Sequence, residues 1–433
     1  HDHSTAYIAT TRYKFNDYAP GLYKTNDYGK TWTNISEGIP NGAYTRVVRE
    51  DEKQKDLLYA GTETGMYISW NGGKKWQAFN LNLPVVPIND LIVKHGDLVL
   101  ATSGRSFWVL DDLEIIRQYK EESFHLYEPE EAIIGTWSSP LNKTDSMFKG
   151  TAPNHGINPA NGVVIYYQLL DTTDLEMEIK DQTGKLVRRF STKKDKSYKK
   201  YPGSPSAEPL LSKKKGLNRF VWDMRHTSTI GVPSVYIEGS YRGHKASPGD
   251  YTIVFNSSES SATTVCKILP NPTYPLSSDD YREYDDYMLF METTLTDMHQ
   301  KVNTIFDMRK QLEDVLKKSD IEADTTLFEQ GKQLVTKMKK WDEEMVQRKS
   351  KAYDDVENYP NKFTAEYLFL INQTESGIPR VTDPSRDRLV ELSKQWEGLS
   401  SIAKEIIETD IPDYNQQLWN AGIGAVRIRN FKK

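Results

Sequence analysis

The amino-acid sequence predicts a multidomain chain in three parts: about three final blades of a β-propeller, an antiparallel β-sandwich and a C-terminal antiparallel helical bundle. Three observations predict this order. An eight-residue segment recurs near the start of the chain, short alternating strands fill the middle, and apolar residues then recur at helical spacing. The predicted boundaries are 1–114 for the blades, 115–159 for a linker, 160–272 for an Ig-like sandwich, and 273–433 for the bundle and C-terminal tail.

The recurring segment reads Thr-Asn-Asp-Tyr-Gly-Lys-Thr-Trp at 25–32 and Ser-Trp-Asn-Gly-Gly-Lys-Lys-Trp at 69–76, an offset of 44 residues. A weaker third copy ends at Asp112, which lies 41 residues after Asn71. Short strand-like runs precede each copy. A period of this length with several strands in each unit is typical of propeller blades.

Each clear copy predicts a hairpin turn. The Asp or Asn side chain accepts hydrogen bonds from nearby backbone groups, and the glycine supplies a positive φ. The tryptophan is expected to pack back between neighbouring strands. The turn residues are therefore interpreted as structural: Thr25, Asp27, Gly29, Trp32, Ser69, Asn71, Gly73 and Trp76.

The repeated octet matches the Asp-box, or BNR repeat, and the chain around it resembles the sortilin (VPS10)-like BNR-repeat proteins. These are large exported proteins that are often labelled glycosyl hydrolases in bacteria. The resemblance rests on 58–67 and 100–113 and continues at 216–225 and 248–252. The family more often has histidine at the position of Ser103. The resemblance implies many more blades upstream, so the chain is expected to be a C-terminal portion.

Three blades cannot close a ring, and ring closure is what removes exposed strand edges from a propeller. The open propeller edge therefore needs a cover. We expect either the missing N-terminal blades of the same protein or a partner protein to supply it.

The middle of the chain predicts the sandwich, because short alternating strands are separated by turn signals. A stretch rich in Pro, Asn and Ser precedes them and predicts the linker. The expected strands lie at 162–167, 175–179, 216–223, 249–256 and 261–269.

Helical spacing of apolar residues predicts the bundle. Ser277, followed by Asp279 and Asp280, predicts the start of its first helix, because a hydroxyl caps the free N–H groups and acidic residues favour that end. A run from Leu327 to Met345 predicts a second helix, and Asp383 starts a third.

Several classes of function are disfavoured. A net charge of −5 argues against a nucleic-acid partner, and no run of about 18 apolar residues predicts a membrane span. One cysteine, Cys266, excludes a multi-cysteine metal site and is expected to be a buried apolar residue. The eight histidines are scattered, and His1-Asp2-His3 is interpreted as a frayed terminus. No metal site and no cofactor are therefore expected.

Catalytic residues remain unknown from the sequence. A glycoside hydrolase needs two carboxylates that face each other, and Asp111 with Asp112 is the obvious pair. Neighbouring residues on a strand point to opposite faces, however, so a turn role is favoured for Asp112. Candidate ligand-binding residues are Glu63, Arg105 and Trp108, because arginine and an aromatic ring suit the recognition of sugars or peptides.

The leading hypothesis is a secreted, periplasmic or cell-surface interaction protein. Its propeller would bind a peptide, a protein or a glycan, and the sandwich and bundle would be accessory modules. One alternative is a glycoside hydrolase whose catalytic carboxylates lie in upstream blades. Another is a structural subunit of a secreted or envelope assembly.

Overall fold

The chain is seen in a computed structural model as two compact units, His1–Glu122 and Ser123–Lys433. The first unit is built mainly of short strands, whereas the second begins with strands and ends with helices. The described residues are 1–119, 124–137, 139, 158–257, 260–317, 324–375 and 378–429.

Three antiparallel sheets form the first unit, and within each sheet the strands follow in chain order. The first sheet has β1 (Ala6–Thr10), β2 (Gly21–Thr25) and β3 (Thr33–Asn34). The second has β4 (Thr45–Glu50), β5 (Leu58–Thr62), β6 (Met66–Ser69) and β7 (Gln77–Ala78). The third has β8 (Ile88–Lys94), β9 (Asp97–Thr102) and β10 (Phe107–Leu110), and a helical turn, α1 (Glu114–Arg117), follows it.

The second sheet is buried on both faces, since every residue of β5 and β6 is buried. Leu58 and Ala60 of β5 belong to a core shared with the first sheet, whereas Tyr59 belongs to a core shared with the third. Alternation along one strand thus supplies two cores. Gly61 allows a close approach, because a Cβ there would lie 2.7 Å from a methyl carbon of Ile88 on β8.

The strand portion of the second unit consists of two sheets. One has the order β11 (His125–Leu126), β13 (Val163–Leu169), β16 (Gly216–Trp222). The other has the order β12 (Ala132–Ile133), β18 (Ser261–Leu269), β17 (Gly249–Ser257), β14 (Leu175–Lys180), β15 (Leu186–Ser191). Both sheets contribute to one apolar core, which includes Trp222 from the first and Phe255 from the second. Cys266 is buried in it, which confirms its predicted role.

The range predicted as a linker supplies regular structure to both units. The turn α1 overlaps its start, and β11 and β12 each join one sheet of the second unit. The strand β12 pairs in parallel with β18, whereas the other strand pairs are antiparallel. Residues 120–123, 138 and 140–157 of the predicted linker lie outside the described residues.

Helices occupy the rest of the second unit. They are α2 (Ser278–Val315), α3 (Thr325–Met345), α4 (Asp355–Asn358), α5 (Phe363–Glu375), α6 (Asp383–Glu405) and α7 (Ile411–Asn420), with a π-helical segment at Ile406–Asp410. The predicted start of α2 is confirmed, because Ser277 and Asp280 form a capping box. The start of α6 at Asp383 is confirmed as well. Within the described segments, every helix is too short or too polar to span a bilayer.

Candidate functional site

The first turn segment is held by a hydrogen-bond network around Asp27. Its Oδ1 accepts hydrogen bonds from the Thr31 backbone N–H at 2.9 Å and from the Thr25 hydroxyl at 2.8 Å, and its Oδ2 accepts one from the Thr31 hydroxyl at 2.6 Å. These bonds, those from Thr31 foremost, lower the pKa of Asp27 to about 2. Gly29 has a φ of 83° and donates its N–H to the Thr25 hydroxyl.

The second turn segment repeats this arrangement with related side chains. Asn71 Oδ1 accepts from the Ser69 hydroxyl at 2.9 Å and from the Lys75 backbone N–H at 2.9 Å. Gly73 has a φ of 88° and donates its N–H to Ser69. Each network spans only a few residues and therefore fixes a hairpin turn. The Asp27 carboxylate and the Asn71 amide oxygen both accept hydrogen bonds from within their own turn.

The last residue of each turn segment reaches a different environment. The Trp76 indole is buried and donates at 2.6 Å to the carbonyl of Ile35, the residue that follows β3 of the first sheet. Trp32, at the same position of the first segment, is 40% exposed and donates within its own turn. In the weaker third copy, the residue that corresponds to Trp76 is Arg117, 41 residues later. Its guanidinium forms a two-point ion pair with buried Asp51, and both contacts measure 3.0 Å.

The predicted ligand residues do not form one cluster. Arg105 is exposed in the β9–β10 turn, and Trp108 lies on β10, where its indole donates to the Arg105 carbonyl at 3.0 Å. Glu63 follows β5 of the second sheet and instead pairs with Arg46, whose Nε lies 2.9 Å from the carboxylate.

Aromatic rings surround the pair of Arg46 and Glu63. The Arg46 guanidinium lies 5.6 Å from the centre of the Tyr44 ring, and Tyr13 stacks on that ring with centres 5.2 Å apart. Tyr18 lies at 6.2 Å on the same ring. We call these five residues the tyrosine cluster. Tyr13 and Tyr18 are 39% and 48% exposed, so the cluster presents ring surface to solvent next to a charge pair.

Burial, and then hydrogen bonding to Glu63, raises the pKa of Tyr44. The phenol, like that of an ordinary tyrosine, is protonated at neutral pH and can donate to the carboxylate. Sequence reasoning selected Glu63 but missed the three tyrosines. Two of these tyrosines lie in the loop between β1 and β2, and no spacing rule connects that loop to Tyr44, which precedes β4.

A second group of polar side chains lies in the second unit, where the connection between β16 and β17 meets helix α2. His226 and His244 stand at the two ends of this connection and are joined by a backbone hydrogen bond of 2.9 Å. Their rings stack with centres 4.2 Å apart and planes inclined by 11°. Asp285 and Glu292 of α2 face them. We call these four residues the histidine cluster.

Both histidines point Nε2 at the same oxygen. Oδ1 of Asp285 lies 3.0 Å from Nε2 of His244 and 3.4 Å from Nε2 of His226. Glu292 holds His244 from the opposite side, since its two oxygens lie 3.1 Å from Nδ1 and 2.7 Å from the backbone nitrogen. The side chain of His244 is completely buried, whereas that of Asp285 is 26% exposed.

Charge dominates this cluster. Burial alone would lower the pKa of His244, but Glu292 and Asp285 outweigh burial and raise the pKa to about 9. Burial lowers the pKa of His226. For Asp285 burial acts upward, but the hydrogen bonds from both histidines outweigh it and hold the pKa well below the usual range.

The histidine cluster was missed by the sequence analysis. His244 follows His226 by 18 residues, and Asp285 follows His244 by 41 residues. No metal-binding or catalytic sequence motif has this spacing. The two rings are brought together by backbone pairing within the connection itself, at the bridge between Arg225 and Lys245 and the hydrogen bond from His226 to His244. The donor set of two imidazole nitrogens and one carboxylate oxygen is one that a transition metal accepts.

Comparisons with known proteins return no matching family model and no matching curated protein. Among solved structures, the chain is similar to YCF48 bound to a D1 peptide, with 21% identity, coverage of 21% of this chain and 31% of that one, and a TM-score of 0.18. It is similar to a GH74 xyloglucanase from Xanthomonas campestris, with 12% identity, coverage of 39% of this chain and 25% of that one, and a TM-score of 0.21.

A third similar structure is the extracellular domain of a hybrid two-component system from B. thetaiotaomicron, with 12% identity, 58% and 29% coverage, and a TM-score of 0.18. This chain thus spans between 25% and 31% of the length of these three structures.

Proposed function

We propose that the chain is part of an exported or cell-envelope interaction protein, in which a sortilin-like BNR-repeat propeller binds a peptide, a protein or a glycan. The Ig-like sandwich and helical bundle are its accessory modules. The observation that carries this proposal is the tyrosine cluster. It places exposed ring surface, two charges and a phenol at one position of the first unit.

The arrangement of the sheets supports the propeller. Each sheet is an antiparallel series in chain order, and β4 of the second sheet lies beside both β1 and β8. The first strands of the three sheets are thus neighbours, an arrangement that is typical of consecutive propeller blades. The two hydrogen-bonded turn segments then stabilise hairpin turns at the outer ends of the blades.

Two outer faces of this stack support the need for further blades or a partner. On the third sheet, Ile92, Val99 and Val109 lie side by side in the strand register, and Ile92 and Val109 are each 54% exposed. On the first sheet, Trp32 occupies the position from which Trp76 reaches a neighbouring sheet. We propose that blades of the same protein, or a partner with the same packing, cover both faces.

The chemistry of the tyrosine cluster fits either class of ligand. A tyrosine ring offers apolar area with a polar tip, and it loses little conformational entropy when it binds. Arg46 and Glu63 are each about 30% exposed and can exchange part of their mutual pairing for hydrogen bonds to hydroxyls, amides or charges of the ligand.

A binding screen with matched variants tests the proposal. The whole chain is immobilised and offered a glycan array and a peptide library, and each hit is measured again with Tyr13→Ala and Tyr18→Ala. Each variant should weaken binding by about 1 kcal/mol or more, which is roughly a fivefold or greater rise in Kd.

Tyr28→Ala is the control. Tyr28 is 77% exposed but lies in the first turn segment, between β2 and β3. This turn is at the opposite end of β2 from the loop that carries Tyr13 and Tyr18. Its substitution should leave the affinity unchanged. Hits that are insensitive to Tyr13 and Tyr18, or equally sensitive to Tyr28, would contradict the proposed site.

A further inference from the structure

We propose that the histidine cluster binds one divalent transition-metal ion of the zinc class. His226 Nε2, His244 Nε2 and a carboxylate oxygen of Asp285 are its ligands. The three ligand atoms all lie within 4.8 Å of one another. Ligand atoms around a tetrahedral zinc ion, each about 2.0–2.2 Å from the metal, are roughly 3.3–3.6 Å apart. The two rings stack with planes inclined by 11°, so metal binding requires them to turn out of this stacked arrangement until both Nε2 lone pairs point at one ion.

Glu292 acts as the orienting group for one ligand. It accepts from Nδ1 of His244 at 3.1 Å and from the His244 backbone N–H at 2.7 Å, which leaves Nε2 as the atom directed at Asp285. A carboxylate on the far nitrogen of a metal-binding histidine fixes the ring orientation and strengthens the ligand. Glu292 is itself buried, with 6% exposure, so it is a built feature of the core rather than a surface charge.

The position of the site indicates what the metal does. Its two histidines close the connection between β16 and β17, and Asp285 belongs to α2. Within the same connection, Val232 and Tyr241 are buried in the helical core. One ion would therefore join the two ends of the connection to helix α2.

The site also leaves a coordination position open. Three protein ligands leave the fourth tetrahedral position to water, and the Asp285 side chain is 26% exposed. The partly exposed Asp285 carboxylate is the side of the site that solvent can reach.

Metal titration of the purified chain tests this site directly. Zn²⁺ affinity is measured by calorimetry, and Co²⁺ is added as a spectroscopic probe. We expect one Zn²⁺ per chain and the visible absorption of a near-tetrahedral Co²⁺ site. Glu292→Gln should weaken Zn²⁺ binding by about 10- to 100-fold. His226→Gln and Asp285→Asn should weaken it by at least as much.

Two controls separate this site from other histidines. His95→Gln removes an exposed histidine of the β8–β9 turn, and a double variant, His1→Gln with His3→Gln, removes the pair at the start of the chain. Both should bind Zn²⁺ like the parent chain. Circular dichroism of the metal-free variants checks that each one is folded.

The opposite results overturn the proposal. If the parent chain binds no stoichiometric Zn²⁺, or if the cluster variants bind it as tightly as the parent, the group is a metal-free imidazolium and carboxylate contact. If a cluster variant does not fold, the Co²⁺ spectrum of the parent still decides. Octahedral Co²⁺, or Co²⁺ lost only in the terminal double variant, would likewise exclude the site.

Discussion

A carboxylate taken out of water needs a hydrogen bond or a positive charge, and Asp112 lacks part of this support. Among the described residues, no donor reaches its Oδ1. Burial, with the carboxylates of Glu114, Asp97 and Asp111 nearby, raises the pKa of Asp112 to about 6. Its φ of 58° and the hydrogen bond from its backbone N–H to Asp97 fit the turn role predicted for it.

Asp112→Asn should therefore stabilise the first unit at neutral pH. Above pH 6 the carboxyl is ionised in both folded and unfolded chains, so the folded state bears the full cost of its burial. Below pH 4 both states are protonated and the cost disappears. We expect a gain of about 1–3 kcal/mol in the free energy of unfolding at pH 7, vanishing near pH 4.

Urea unfolding of the parent and variant chains at both pH values measures this difference. Glu52→Gln, at an exposed site of the same unit, serves as the control and should change little at either pH. If the difference in the free energy of unfolding between variant and parent is the same at pH 7 and pH 4, Asp112 is already solvated in the folded chain.

Arg117 presents the reverse case, a buried charge that is well paired. Its side chain is 5% exposed and that of Asp51 is fully buried. Arg117→Gln would leave the Asp51 carboxylate buried without its partner, at a cost of about 3–5 kcal/mol. Arg105→Gln, an exposed arginine of the same unit, should change the free energy of unfolding by less than about 0.5 kcal/mol.

Thermal and denaturant unfolding of these two arginine variants give the comparison. Equal losses for both would mean that the ion pair contributes nothing beyond an ordinary surface arginine. The pair joins residues 66 positions apart, so it has no local signature in the sequence.

At the scale of elements, sequence reasoning works where the stabilising contacts are local. The turn segments are held by hydrogen bonds between residues two to four positions apart, and the start of α2 by a cap between residues three positions apart. Such contacts leave a pattern that can be read directly. Helix α5 was missed because it is buried around most of its circumference and so shows no one-sided apolar stripe.

The two turn tryptophans predict unequal consequences of the same substitution. Trp76→Ala removes a buried side chain and its hydrogen bond to the neighbouring sheet, which should cost about 3–5 kcal/mol. Trp32→Ala removes a side chain that is 40% exposed and should cost well under half as much. Denaturant unfolding of both variants tests this. Equal costs would mean that Trp32 is covered in solution.

At the scale of the whole molecule, the order of strands followed by helices was predictable because periodicity changes from two to between three and four along the chain. The convergence of separate segments was not. The tyrosine cluster joins a loop to β4, and the histidine cluster joins the connection between β16 and β17 to α2. Each depends on how finished elements pack, which one sequence does not encode in any short pattern.

The central claim is that the first unit recognises a ligand without cleaving it. Its most direct test is a polysaccharide and peptide panel on which binding and the release of reducing ends are measured together. We predict saturable binding to at least one member, lost in a chain carrying both Tyr13→Ala and Tyr18→Ala, with no sugar release. Release of reducing ends by the parent chain, or binding that the double variant retains, would contradict the claim.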